Sequence, residues 1–294
     1  MKKWIMAIVS TALITVSLPA YANAQQVYVA LGDSIAAGQT PYRQIDQGYT
    51  DLIAGELARN GQLALFSKDL AFPGFTAEQV LESIQSDEAQ DLVKQATLIT
   101  ISAGANDLLR IVNANPDQGT LAYQQLQADF SLNQARKSID TLLQELQQLA
   151  PQAEIYLVGY YFAYPHVAEF QKRGTEKELN RLNQILEQTA EKYGANFVSV
   201  EDRMNTELKA YVPNPADVHP VQEGYRQIAN SFFDEYNSNL RVEPFEMPQP
   251  NPLTFEEIQA AGEQQTDEQP DQREDQASTL STNGLALAHF IPYS

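Results

Sequence analysis

An alternation of two periodicities limits the folds open to this chain more than any other feature. Short apolar runs rich in β-branched or aromatic residues stand at 27–31, 98–102, 155–159 and 197–200, with a weaker one at 63–70. Between them apolar residues recur at helical spacing. Ala135, Ile139, Leu142, Leu143, Leu146 and Leu149 make one stripe, ended by Pro151. Leu179, Leu182, Ile185, Leu186 and Tyr193 make another, which opens on a possible capping box from Thr175 to Glu178 and stops at Gly194. Strands alternating with helices over short connections call for a parallel sheet covered on both faces. The expected architecture is therefore a three-layer α/β/α sandwich over residues 25–240.

The flanking segments differ in composition. Lys2 and Lys3 precede an apolar stretch at 4–18 and then Ala22-Asn23-Ala24, the form of a secretory leader cut near Ala24. That stretch is shorter than the ~20 residues a membrane span needs. The expectation is export of the mature chain, with no integral membrane segment left after cleavage. Within residues 241–294, the stretch 243–276 is rich in Pro, Gln, Glu and Asp, a composition that buries too little surface to offset its ordering entropy, and 285–291 is a short apolar end able to dock on the domain. An acidic, mostly disordered tail is expected there.

The formal net charge is −19, and the leader contributes two lysines and no acid, so the remainder is more acidic still. Such an excess argues against nucleic acid and anionic membrane surfaces as partners. Cysteine is absent, which excludes disulfides, thiol catalysis and thiolate metal sites. No spacing of His and Asp suits a metal, and no glycine-rich phosphate loop or nicotinamide fingerprint is present, so no cofactor is expected.

Four groups of residues follow the first, second, third and fifth strand candidates, the last after a Pro-rich loop: Gly32-Asp33-Ser34, Phe72-Pro73-Gly74, Gly104-Ala105-Asn106-Asp107, and Asp217-Val218-His219-Pro220. In a parallel sheet these loops project from one edge, where open α/β folds bind ligands. Acyl transfer needs a nucleophilic hydroxyl, a base for its proton, and donors where the oxyanion forms. Ser34, His219, and the trio of Ser34 N–H, Gly74 N–H and Asn106 side-chain amide meet those needs.

Over residues 27–236 the sequence resembles the SGNH hydrolases, also called GDSL lipases and esterases. Gly32-Asp33-Ser34 matches the first block, with Ile35 where leucine is commoner. Gly74 matches the second, Gly104-Ala105-Asn106-Asp107 the third, and His219-Pro220 followed by Glu223-Gly224-Tyr225 the last. The resemblance implies a flavodoxin-like SGNH fold and a serine ester hydrolase that acts through an acyl-enzyme. The implied substrate is a small-molecule, lipid or glycan ester. A non-catalytic ligand-binding or surface module on the same fold is the other reading.

One position departs from the family pattern. The orienting aspartate usually stands three residues before the histidine, where this chain has Ala216; the nearby acid is Asp217, two before His219. On an extended segment residues i and i+2 point to one side, so Asp217 can reach the imidazole. The alternative is a Ser–His dyad whose ring is oriented by a main-chain carbonyl or water.

Other chemistry-bearing residues have plainer readings. Asp33 and Asp107 are expected to be structural, and His166 a surface or pocket residue. His289 falls in the tail. Residues 160–165, Tyr-Tyr-Phe-Ala-Tyr-Pro, are either a substrate-facing wall or core, and residues 108–130 are expected to form a lid or pocket rim.

Overall fold

The computed structural model describes residues 25–254 together with 257, 258 and 260. In chain order its elements are β1 (Gln26–Gly32), α1 (Ser34–Ala37), α2 (Tyr49–Arg59), β2 (Leu63–Ala71), α3 (Ala77–Ser83), α4 (Asp87–Gln95), β3 (Leu98–Ser102) and α5 (Ala105–Leu109). There follow β4 (Asn113–Asn115), β5 (Thr120–Ala122), α6 (Gln125–Leu149), β6 (Glu154–Val158) and α7 (Glu169–Lys192). The last are β7 (Asn196–Val198), α8 (Glu201–Met204), α9 (Leu208–Tyr211) and α10 (Gln222–Tyr236).

Five strands form one parallel sheet in the order β2-β1-β3-β6-β7, while β4 and β5 make a separate antiparallel hairpin. Setting the hairpin aside, the order is 2-1-3-4-5, with its reversal at β1, where doubly wound sheets open a crevice beyond the strand ends. Helices α2 and α10 pack together in one layer, and α3, α4, α6 and α7 make the other. The fold is thus the α/β/α sandwich that the alternation of periods implies.

Burial on both faces explains why the central strands read as continuous apolar runs. Every residue of β3 is buried, including Thr100 and Ser102. Those two hydroxyls are satisfied by Tyr28 OH and Tyr49 OH, each at 2.8 Å. In α6 the buried residues Ala128, Leu132, Ala135, Ile139, Leu142, Leu143 and Leu146 form the stripe that faces the sheet. Truncating one of these leucines to alanine should cost about 2–5 kcal/mol through lost transfer energy and a residual cavity.

Two expectations change. Helix α7 starts at Glu169, not at a box on Thr175. Thr175 Oγ1 donates back to the Gln171 and Lys172 carbonyls inside the helix, and Glu178 is buried against Arg181 at 2.7 Å. The Thr-x-x-Glu spacing served internal contacts rather than a helix start. Ordered packing also runs past residue 240. Val242 is buried and exchanges hydrogen bonds with the Asn230 side chain at 2.8 and 3.1 Å. Further on, Leu253 and Ile45 exchange backbone hydrogen bonds at 2.6 and 2.7 Å. Residues 261–294, including His289, lie outside the described residues.

Candidate active site

Ser34 opens α1 directly after β1. Asp33 caps that helix by accepting from Ile35 N at 2.9 Å, and its other carboxylate oxygen accepts from Tyr160 OH at 2.7 Å. Asp33 N donates to Ser102 O at 2.9 Å, which ties the turn to the end of β3. At Gly32 φ is 144°, and an added Cβ would sit 2.3 Å from Ser102 O, so only glycine allows this approach. Asp33 is structural, as expected, and burial pushes its carboxyl up to about 6. The hydrogen bonds from Tyr160 and Ile35 oppose that shift without cancelling it.

His219 lies in the irregular segment between α9 and α10. Its Nε2 is 2.7 Å from Ser34 Oγ, and both residues are buried. Its Nδ1 is 2.6 Å from Asp217 Oδ1, and that oxygen also accepts from His219 N at 2.8 Å. The aspartate two residues ahead reaches the ring through an Asx-type bond to the main chain it orients. Gln39 Nε2 also approaches Nδ1, but at 3.4 Å it does not compete with the carboxylate. With Nδ1–H donating to Asp217, Nε2 is left to accept from Ser34, the polarity a general base requires. Tyr161 OH donates to Val218 O at 2.7 Å and holds the segment between the two. Burial keeps the Tyr160 and Tyr161 phenols well above their ordinary range, so both remain donors.

The expected oxyanion donors sit on neighbouring turns. Phe75 N donates to Phe72 O at 3.2 Å, with Pro73 and then Gly74 at φ 82° between them. Proline followed by a left-handed glycine is the pattern of a type II turn. Phe72 N donates to Gly32 O at 2.9 Å, so this turn is joined to the end of β1. Asn106, the second residue of α5, donates through Nδ2 to Phe75 O at 2.8 Å. A primary amide has two N–H groups, which leaves one for a ligand. Asp107 accepts from Ala77 N at 2.9 Å, and Arg110 donates to Gly74 O at 2.8 Å; both brace the same turn.

Sequence reasoning missed Arg110, Gln39 and the paired roles of Tyr160 and Tyr161. The aromatic run itself was a signal for the tyrosines. Nothing near Arg110 or Gln39 marks either. Beside Ser34 a half-open cavity lies whose empty space, open solvent included, is about 810 Å³. His166 is bonded to Val212 O at 2.8 Å and does not line this cavity. Residues of both 108–130 and 160–164 line it, so the aromatic run is at once packed and pocket-facing. Among the described residues no group of three or more His, Cys, Asp or Glu side chains is placed to hold a metal.

Comparison with known proteins bears on the family and the fold. Residues 30–227 match the GDSL-like lipase/acylhydrolase family. A curated relative, the uncharacterized protein YpmR of Bacillus subtilis (strain 168), is 25% identical over 218 residues, covering 70% of this chain and 80% of its own. Among solved structures, the lipase Lip_vut3 from a goat rumen metagenome aligns with a TM-score of 0.58 at 17% identity, over 70% of this chain and 95% of that one. Axe2, an acetylxylan esterase from Geobacillus stearothermophilus, aligns with a TM-score of 0.52 at 18% identity, over 73% of this chain and 95% of its own. At those identities the two structures speak for the fold alone.

Proposed function

The chain belongs to the GDSL-like lipase/acylhydrolase family, and from that premise we propose that it is an exported serine hydrolase that cleaves carboxylic esters through an acyl-enzyme. One observation carries the reading: an uninterrupted relay from Asp217 through His219 to Ser34 Oγ, with contacts of 2.6 and 2.7 Å. Ser34 Oγ attacks the ester carbonyl while His219 Nε2 takes its proton. Asp217 holds the ring in the tautomer that accepts there and stabilises the imidazolium that results. The negative charge on the tetrahedral oxygen falls to Ser34 N–H, Gly74 N–H and the free N–H of Asn106. His219 then protonates the departing alcohol, and water repeats the sequence on the acyl-enzyme.

A binding module has no need of an activated serine. That separates the two readings by a fluorophosphonate probe, which labels a serine only when a base activates it. Labelling should map to Ser34 by peptide mass spectrometry, and Ser34→Ala should lose both the label and ester hydrolysis with unchanged circular dichroism. Activity of the Ser34→Ala protein within tenfold of the unaltered enzyme would sink the mechanism. Export is a separate part of the proposal, supported by the leader-like composition of residues 1–24. Amino-terminal sequencing of protein recovered outside the cytoplasm should begin near Gln25.

A further inference from the structure

We propose that the cavity beside Ser34 receives a fatty acyl chain, so that the preferred substrates are esters or thioesters of medium-chain or longer acids rather than acetyl esters. This deepens the reading of Ser34 as nucleophile and rests on it. Most of the cavity's wall is apolar. Leu108, Leu109, Ile111 and Val112 come from α5 and the chain after it, and Leu179 and Leu182 face in from α7. Phe162 and Ala163 extend the lining beyond β6. An acetyl group would leave nearly all of this surface without a partner, and apolar surface of this kind gains most from an alkyl chain.

Which arm of the ester enters follows from the proton transfers. The leaving alcohol must lie against His219 Nε2 to be protonated. Neither His219 nor Gln39 lines the cavity, whereas Ser34, Ala105 and Asn106 do; from the histidine segment Val218 alone reaches it. The arm directed away from the histidine is the acyl arm. Tyr123, Thr175 and Glu178 also line the cavity and interrupt its apolar surface. The Glu178 carboxylate is satisfied by Arg181 at 2.7 Å and Gln125 at 3.1 Å, so it is a fixed polar boundary and not a free charge awaiting a ligand. Alkyl carbons gain nothing against such a boundary, and the benefit of lengthening the chain should level off once it is reached.

The test is a chain-length series of p-nitrophenyl esters from acetate to octanoate, beside an acetylated xylooligosaccharide, on the full chain. Each methylene moved from water into an apolar site is worth a factor of about four in kcat/KM. From acetate to hexanoate kcat/KM should therefore rise by about two orders of magnitude. Leu109→Trp and, independently, Ala128→Leu fill the cavity from different walls. Either should cut kcat/KM for octanoate at least tenfold while leaving acetate within about threefold, a split that a folding defect would not produce. A kcat/KM that is flat or falls with chain length, or a preference for the acetylated sugar, overturns the proposal.

A second readout keeps the cavity apart from the chemistry. Ser34→Ala protein should bind cis-parinaric acid, with displacement by dodecanoate and loss of binding on adding Leu109→Trp. If that binding holds while the unaltered protein neither takes a phosphonate label nor cleaves any ester, the nucleophile reading fails and the cavity assignment stands. If neither binding nor a chain-length rise is found, the acyl-chain assignment fails.

Discussion

The nucleophile and its base are held by different kinds of structure. Ser34 stands between a central strand and a helix, and its turn is fixed by backbone bonds to the end of β3. Asn106 is likewise on a helix that follows a fully buried strand. His219 and Asp217 instead lie on irregular chain. Much of what holds that segment is side-chain bonding, including Asp217 to the His219 main chain, Tyr161 to Val218 O, and Asn214 to Pro41 O at 2.9 Å. A site built this way should tolerate changes around the serine's supports better than changes around the histidine's. Regular elements share their load over many backbone bonds, whereas a loop depends on a few contacts that cannot replace one another.

Removing the carboxylate tests the base side hardest. Asp217→Asn should lower kcat by about 10⁴, because the amide favours the wrong tautomer of His219 while leaving its position almost unchanged. Steady-state kinetics giving a near-native kcat would take Asp217 out of the mechanism and leave a dyad. On the nucleophile side, Asn106→Ala should lower kcat by roughly 10²–10³ with a smaller change in KM, since the bond to the oxyanion forms mainly in the transition state. A loss confined to KM would make Asn106 a ground-state contact.

Smaller changes sharpen the contrast. Tyr161→Phe deletes the bond to Val218 O, worth about 0.5–1.5 kcal/mol. If the histidine segment depends on it, kcat falls by up to about tenfold while phosphonate labelling still maps to Ser34. An unchanged kcat would mean that the Asp217 and Asn214 bonds suffice.

Asp33→Asn probes the serine's own support and should touch stability more than rate. Asparagine caps a helix as well as aspartate does, and its amide can donate to Tyr160 Oη in place of accepting. Burial raises Asp33 from 3.8 to about 6. The folded state therefore holds a proton that the unfolded chain gives up, so this group favours folding below about pH 4. That contribution is lost as pH rises through about 6. The variant lacks this titration, so its thermal midpoint should fall less between pH 4 and 7 than that of the unaltered protein. Parallel curves would show that Asp33 titrates alike in both states.

How much of this was legible depended on range along the chain. The strand runs at 98–102 and 27–31 and the α6 stripe show in the sequence because burial on two faces, or on one helical stripe, dictates residue type locally. The start of α7 differs from the expectation because Thr175 and Glu178 match a capping spacing while their partners Gln171, Lys172 and Arg181 lie within the helix. The chain beyond residue 240 has the composition of a solvated tail, yet Val242 and Leu253 dock on it one residue at a time, through partners at Asn230 and Ile45 that composition does not record.

By itself the sequence determined that strands and helices alternate, that Ser34, Gly74, Asn106 and His219 follow strands or their loops, and that thiol chemistry is absent. These depend on residue type and spacing along a few neighbouring positions, which period and turn chemistry expose. Tertiary structure alone decided that Asp217, not a carbonyl, meets the imidazole. It also decided that Arg110 braces Gly74 and that α5, α6 and α7 help line a mostly apolar cavity beside the serine. Each of these rests on a distance of a few ångströms between residues far apart in the chain or on one side-chain torsion, and neither leaves a periodic trace in the order of amino acids.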